Sequence, residues 1–205
     1  MQQGGLGVAR ISHGPFPWYA AMAAFVDGSP LATPLGTIHS TNITPDRETG
    51  IGAWSAADLK RALREGVAAD GRHLFPAFPY TFYTRMTDAD IADLYAYLRT
   101  LKPVRYVPPE NDAAFGLRWT MGAWKALNLE SGAYRPDPAQ SPEWNRGAYL
   151  VQGPGHCGAC HTPRTWTLAA QSSAPLRGAV MQDHVPGGSV RDWFAVDLAA
   201  TKQGL

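Results

Sequence analysis

Both cysteines of this 205-residue chain lie in one short run, Cys157-Gly158-Ala159-Cys160-His161. Two thiols at this spacing on one helical turn can form thioether bonds to two vinyl groups at one edge of a porphyrin, and the adjacent histidine can then bind the iron. A chain that holds a porphyrin in this way must also supply an apolar pocket, which restricts its fold. The motif therefore predicts one haem c, with Cys157 and Cys160 as covalent anchors and His161 as the proximal iron ligand.

Two other uses of the cysteine pair, and coincidence, remain open at this stage. A thioredoxin-like redox pair follows a strand in a βαβ unit, and the sequence pattern around the pair does not predict one. A zinc site could combine Cys157 and Cys160 with histidines among His156, His161 and His184. Without a second cysteine pair, such a site would depend on a distant ligand. Haem attachment is the favoured interpretation.

Composition sets the broad class of the chain. Apolar residues make up 45% of it, which is enough for one large core or two small ones. A net charge of +1 does not indicate a nucleic-acid partner. Only 17% of the residues are charged, whereas 21 are glycine and 17 are proline. This mixture predicts short helices joined by long Pro/Gly-rich loops.

The sequence contains no apolar run of the length that a transmembrane helix needs. Its longest apolar stretch, residues 15–26, follows a single basic residue, Arg10, and opens with two prolines. A secretory signal peptide has a stronger basic start and an uninterrupted apolar region. We therefore interpret this stretch as a short buried helix, with no convincing signal peptide or transmembrane segment.

Capping residues and apolar periodicity predict four helices. The first begins at the N-cap Ser55 and ends at Gly66, and the second runs from Thr87 to the Lys102-Pro103 pair. A third, amphipathic helix covers residues 115–127.

The fourth predicted helix starts at Trp144 and leads into the cysteine motif. Between the first two helices, the proline and aromatic residues of segment 70–83 predict a loop. The tail after His161 is also predicted as a loop.

Four blocks of the sequence carry a resemblance to a known family. They are TPLGTIHSTNITPDRETGIGAWSAADLKRALREG (33–66), LFPAFPYTFYTRMTDADIADLYAYLRTLKPV (74–104), LRWTMGAWKAL (117–127) and WNRGAYLVQGPGHCGACHTPR (144–164). Over roughly residues 30–205, the chain resembles the multihaem cytochrome c subunit of membrane-bound bacterial dehydrogenases for alcohols, gluconate, and related polyols or aldehydes. The resemblance implies an all-α fold of tandem cytochrome c-like modules, each with one C-x-x-C-H motif and one distal methionine.

The first module departs from the family pattern. Residues 1–29 contain no cysteine, and their one histidine, His13, receives no ligand role. Where the family has Met-Pro-Tyr, this chain has Phe78-Pro79-Tyr80. Phenylalanine cannot bind iron, and Met86 is expected to pack in a core. The first module is therefore expected to hold no haem.

Internal comparison extends the expected organisation. Gly204-Leu205 matches Gly50-Ile51 in a loose repeat, so the second module is expected to be truncated and to lack its distal methionine loop. Met181 and His184 are possible substitutes as the sixth iron ligand but are more simply loop residues. The predicted organisation is an atypical N-terminal segment, a degenerate module, a linker with an amphipathic helix, and a partial haem module (1–29, 30–105, 106–143 and 144–205).

The resemblance implies electron transfer on the periplasmic side of the cytoplasmic membrane. The expected donor is a dehydrogenase catalytic subunit whose cofactor (flavin, quinone or molybdenum) the sequence does not identify, and the acceptor is quinone or another cytochrome. The sequence shows no nucleophile–base arrangement, phosphate-binding loop or dinucleotide fingerprint, so no catalytic residue is predicted. The alternative is a haem-less remnant that serves at most as a binding or scaffold fragment.

Overall fold

The computed structural model of the chain describes residues 30–33, 36–112, 116–185 and 189–199. The predictions for residues 1–29, including His13, and for Gly204-Leu205 lie outside these ranges. The described residues contain six helices and four strands. The helices are α1 (Ala56–Glu65), α2 (Tyr80–Tyr83), α3 (Asp88–Thr100), α4 (Leu117–Asn128), α5 (Pro142–Gln152) and α6 (Gly158–His161). The strands are β1 (Pro30–Thr33), β2 (Gly36–His39), β3 (Ala179–Val185) and β4 (Ser189–Ala195).

The predicted helices are present, and their caps explain their ends. The Ser55 hydroxyl accepts the Asp58 N–H, while the Asp58 carboxylate accepts the Ser55 N–H at 2.9 Å, which completes a capping box at the start of α1. Gly66 ends α1 in the left-handed conformation, with φ at 61°. At the start of α3, the Thr87 hydroxyl accepts the Asp90 N–H at 3.1 Å. These local signals place both helices within the bounds expected from the sequence.

The expectation of an all-α fold is incomplete, because the described residues contain two antiparallel hairpins. Strands β1 and β2 pair from Pro30↔His39 to Thr33↔Gly36. Strands β3 and β4 pair from Ala179↔Ala195 to Val185↔Ser189, so the prediction of a loop after His161 is wrong for both strands. The physical reason is in the sequence: β-branched and aromatic residues favour strands, and Pro-Gly-Gly stands at 186–188 between them.

The prediction of a continuous loop over residues 70–83 also needs correction. Its last four residues form the single helical turn α2, directly after Pro79. Proline is tolerated at a helix start because the backbone N–H that it lacks would have no helical partner there. This turn buries Tyr80 in the core of the unit that contains the cysteine motif and places the half-buried Phe82 and Tyr83 next to the motif.

The described residues fall into two compact units, one within residues 1–53 and 96–114 and the other within residues 54–95 and 115–205. In the first unit, Asn42 is buried and joins separate parts of the chain. Its side-chain amide donates to the Thr49 hydroxyl at 3.0 Å and to the Val104 carbonyl at 2.8 Å. Its oxygen accepts the Thr44 N–H at 3.0 Å. The four segments predicted from the sequence have other boundaries than these two units. Their assignment to haem modules stays a prediction.

The second unit has a core built on α1 and α2. Its buried side chains include Leu59, Leu63, Phe75, Tyr80, Met86, Met121 and Tyr149. A Cβ on Gly66 would lie 2.6 Å from the Tyr80 ring, so this αL glycine also permits close packing. Lys125 of α4 donates to the Glu65 carbonyl at 2.7 Å, next to the same ring. Met86 is buried, which supports the packing role expected for it.

Candidate functional site

The cysteine motif lies on one helical turn that follows α5. Helix α5 ends as the Gly153 N–H bonds the Tyr149 carbonyl at 2.9 Å, and the chain then turns into α6. In α6, the Cys160 and His161 N–H groups donate to the Cys157 carbonyl at 3.2 and 3.0 Å. Both thiols are free, with Cys157 half-buried and Cys160 exposed. The backbone thus places the two thiols and His161 on a single turn.

The imidazole of His161 is fixed by the end of the β3–β4 hairpin. Its Nδ1 lies 2.9 Å from the carbonyl oxygen of Val196, the residue after β4. Because a carbonyl oxygen can only accept a hydrogen bond, Nδ1 carries the proton in the neutral ring, and Nε2 keeps its lone pair. The Gly178 N–H also donates to the His161 carbonyl at 2.8 Å. This arrangement leaves Nε2 as the atom available to bind a metal.

The β3–β4 hairpin, whose end is bonded to His161, also carries exposed apolar side chains. Val180 and Phe194 are cross-strand partners and are 52% and 76% exposed, and Val196 is 63% exposed. An open cavity of about 410 Å³ is lined by Pro163, Val180, Phe194 and the charged Arg177 and Asp197, among others. Exposed apolar side chains grouped in this way are typical of a binding surface. The two free thiols on one helical turn and the imidazole with an available Nε2 form a donor set that fits a thioether-held haem.

The position of the motif in the fold weighs against a thioredoxin-like use of the cysteines. The motif follows helix α5, which is not the strand–helix setting of a thioredoxin-like pair. In the part of the chain that the structure describes, no group of three His, Cys, Asp or Glu side chains could hold a metal ion. His156 instead directs Nδ1 to the Pro154 carbonyl at 3.1 Å.

The two candidates for a sixth iron ligand both lie in β3, so their interpretation as loop residues is wrong. Met181 pairs with Trp193 and is half-buried. His184 pairs with Val190 through the backbone, and its side chain lies outside the described residues. The choice of a sixth ligand therefore stays open.

Sequence reasoning missed several residues around the motif. Val196, which fixes the His161 ring, is 35 positions away in the sequence. Phe82 packs against Gly158, and the Tyr83 ring meets the His156 ring edge-on at 5.3 Å between centroids. The strand-favouring residues around Pro-Gly-Gly could have revealed the hairpin. No sequence signal pointed to the two aromatic contacts.

No family model matches the chain. Individual proteins do. The chain is 49% identical over 175 residues to a nicotinate dehydrogenase subunit of Pseudomonas putida, a match that covers 84% of this chain and 14% of that protein. It is 45% identical over 182 residues to the fructose dehydrogenase cytochrome subunit of Gluconobacter japonicus, a match that covers 83% of this chain and 37% of that subunit. The chain is homologous to dehydrogenase cytochrome c subunits.

A third relative of this cytochrome c homologue is a diheme cytochrome c-type protein of Cereibacter sphaeroides. The two are 44% identical over 179 residues, which cover 84% of this chain and 60% of the relative. The resemblance deduced from the sequence blocks is thus confirmed. The chain spans between 14% and 60% of the length of these three relatives. Among the helices in the described ranges, none has the length and apolar character needed to cross a bilayer.

Proposed function

We propose that this chain carries one c-type haem and relays electrons within a dehydrogenase complex. The donor would be the catalytic subunit of a dehydrogenase, and the acceptor quinone or another respiratory carrier on the periplasmic side of the membrane. The observation that carries this proposal is the bond between His161 Nδ1 and the Val196 carbonyl. It prepares the imidazole of a C-x-x-C-H motif for iron, in a chain homologous to cytochrome c subunits.

Each part of the site would have a separate task. Cys157 and Cys160 would hold the macrocycle through thioether bonds, and His161 would bind the iron through Nε2. Val180 and Phe194 would cover part of the apolar face and exclude water. Arg177, exposed beside the same cavity, would offer a cation to a propionate group. A haem held in this way supplies reversible one-electron chemistry when bound.

The Val196 carbonyl would also adjust the electronic character of the site. When one ring nitrogen of a histidine donates a hydrogen bond to a carbonyl, as Nδ1 does here, the other ring nitrogen becomes a more basic metal ligand. A more basic imidazole favours the ferric over the ferrous state and therefore lowers the midpoint potential. The β3–β4 hairpin would thus help to set the potential as well as cover the haem.

The expectation of a haem-less first module has support from packing near Phe78. Its ring lies 5.4 Å from the Tyr83 ring between centroids, and the neighbouring Tyr80 is fully buried. Aromatic side chains therefore occupy this region of the described structure. We accordingly propose one haem for this chain, at the second module.

Electron transfer can be tested with the full chain after haem maturation in the periplasm. The dithionite-reduced protein is mixed with ubiquinone-1, and the α-band is followed under anaerobic conditions. We expect the reduced α-band to disappear as the haem is reoxidised. In a separate redox titration, we expect a reversible midpoint potential. A haem that is attached but shows no reversible redox transition would contradict the proposed relay.

A further inference from the structure

The glycine between the two cysteines packs directly against an aromatic ring from a distant turn. Gly158 is buried in α6, and a Cβ at this position would lie 2.7 Å from Cε1 of Phe82 and 3.2 Å from its Cζ. The Thr162 hydroxyl oxygen would be 3.1 Å from the same Cβ. Contacts below 3 Å are not tolerated between carbon atoms in a packed interior, so Phe82 leaves no room for a side chain here.

The residue before the first cysteine contacts the same turn. The Tyr83 ring meets the His156 ring edge-on, with 5.3 Å between centroids and an angle of 72°. His156 has a positive φ of 40°, a conformation that costs energy for a residue with a Cβ. The contact with Tyr83 and the bond from the ring to Pro154 both favour this conformation. Tyr83 therefore helps to fix the backbone that enters the motif.

Helix α5, which leads into the motif, is held by the start of α3. The Thr87 N–H donates to the Tyr149 hydroxyl at 3.1 Å, and that hydroxyl donates to the Asp90 carboxylate. Gly153, at the end of α5, lies where a Cβ would be 3.5 Å from the Cβ of Arg85. The segment from Phe82 to Asp90 thus contacts both α5 and the cysteine turn.

We propose that Phe82 and Tyr83, here called the aromatic wall, are positioning residues for the haem site. The inference rests on the proposed function and deepens it. Residues two apart on a helix point to nearly opposite sides, so packing Gly158 on the wall leaves Cys160 exposed on the other side. The wall holds the turn so that both thiols and His161 are presented together. A turn expected to belong to a haem-less module thereby serves the haem of the next one.

A double-mutant cycle tests the contact between Phe82 and Gly158 in the full, periplasmically matured chain. Gly158→Ala is expected to lower the ratio of covalent haem to protein on the order of tenfold, because overpacking displaces the turn. Phe82→Leu in the same chain removes the clashing ring atoms and should restore part of the haem, whereas Phe82→Leu alone, which removes the ring that holds Gly158, should lower the ratio. The matched control is Gly147→Ala in α5, where a Cβ meets nothing within 4 Å. This control should keep the wild-type ratio and midpoint potential.

The contact with His156 is tested at Tyr83. Tyr83→Phe retains the ring and should retain the wild-type midpoint potential, whereas Tyr83→Leu should shift the potential of the haem that is still attached. Circular dichroism confirms that each variant is folded. A shift in Tyr83→Leu without a shift in Tyr83→Phe supports a positioning role that depends on the ring.

The outcomes separate the two proposals. A wild-type chain without covalent haem overturns the proposed function itself. If wild-type haem is attached, the wall is overturned when Gly158→Ala behaves as Gly147→Ala does. It is also overturned when Phe82→Leu gives no rescue, or when Tyr83→Leu keeps the wild-type potential.

Discussion

His161 Nδ1 lies 2.9 Å from the carbonyl oxygen of Val196, so the last residue of the cysteine motif is bonded to the end of a hairpin 35 positions later. The bond fixes the tautomer and the orientation of the ring. It makes the β3–β4 hairpin part of the candidate haem site. Sequence spacing around the motif alone would not include that hairpin.

The first prediction concerns His161 as an iron ligand. In His161→Ala, the two cysteines still hold the haem, but the iron loses its protein ligand on that side. We expect covalent haem to remain and the ferric spectrum to change towards a high-spin form. Added imidazole should restore a spectrum close to the wild type. An unchanged spectrum in the variant would show that another residue binds the iron.

The second prediction compares two buried tyrosines. The Tyr149 hydroxyl bonds the Thr87 N–H and the Asp90 carboxylate, whereas the Tyr80 hydroxyl is buried without a partner among the described residues. Tyr149→Phe should lower the free energy of unfolding by about 1–3 kcal/mol, because both partners lose their bond. Tyr80→Phe removes an unsatisfied group and should leave that free energy unchanged or raise it.

Urea denaturation of the two tyrosine variants provides the measurement. Each substitution deletes one oxygen from a buried ring, so each serves as the control for the other. Equal losses of stability in both variants would contradict the difference in bonding. A loss confined to Tyr80→Phe would reverse the assignment.

The third prediction concerns stability in acid. Hydrogen bonds from the Ser55 hydroxyl and then from its backbone N–H hold the pKa of Asp58 below the ordinary value of 3.8. The folded chain therefore binds fewer protons than the unfolded chain between the lowered pKa and 3.8. The resulting stability is present above pH 3.8 and is lost as the pH falls through the lowered folded pKa.

Thermal unfolding measured from neutral to acid pH tests this linkage. Asp58→Asn should be less stable than the wild type at neutral pH, and the difference should shrink as the pH falls below the ordinary aspartate pKa. Ser55→Ala, which removes the hydroxyl donor, should show the same trend. Parallel curves for the wild type and Asp58→Asn over the whole range would contradict it.

Much of the fold could be predicted from local signals. Helices α1 and α3 carry their caps within a few residues, at Ser55 and Thr87, and their apolar periodicity is clear. The β3–β4 hairpin was missed because neither helical periodicity nor the resemblance to an all-α family predicts strands. Its strand-favouring residues and the Pro-Gly-Gly between them are visible in the sequence, so this signal was available.

The candidate site was only partly accessible from the sequence. Cys157, Cys160 and His161 are predicted by spacing, because thioether attachment needs that spacing. The contacts of the motif with Val196 and Phe82 depend on how distant segments fold back onto it. No local rule relates an aromatic turn near residue 80 to a glycine near residue 158. Such contacts become visible only in three dimensions.

The central claim is that Cys157 and Cys160 hold one haem, and its most direct test is the mass of the chain. The full chain, fused to an export signal, is produced in cells that mature a control cytochrome c, and is then denatured and analysed by mass spectrometry and by its pyridine haemochrome spectrum. We predict one covalently bound haem per chain in the wild type and none in the Cys157→Ser/Cys160→Ser variant. A wild-type chain without haem, in cells where the control is fully matured, would contradict the account.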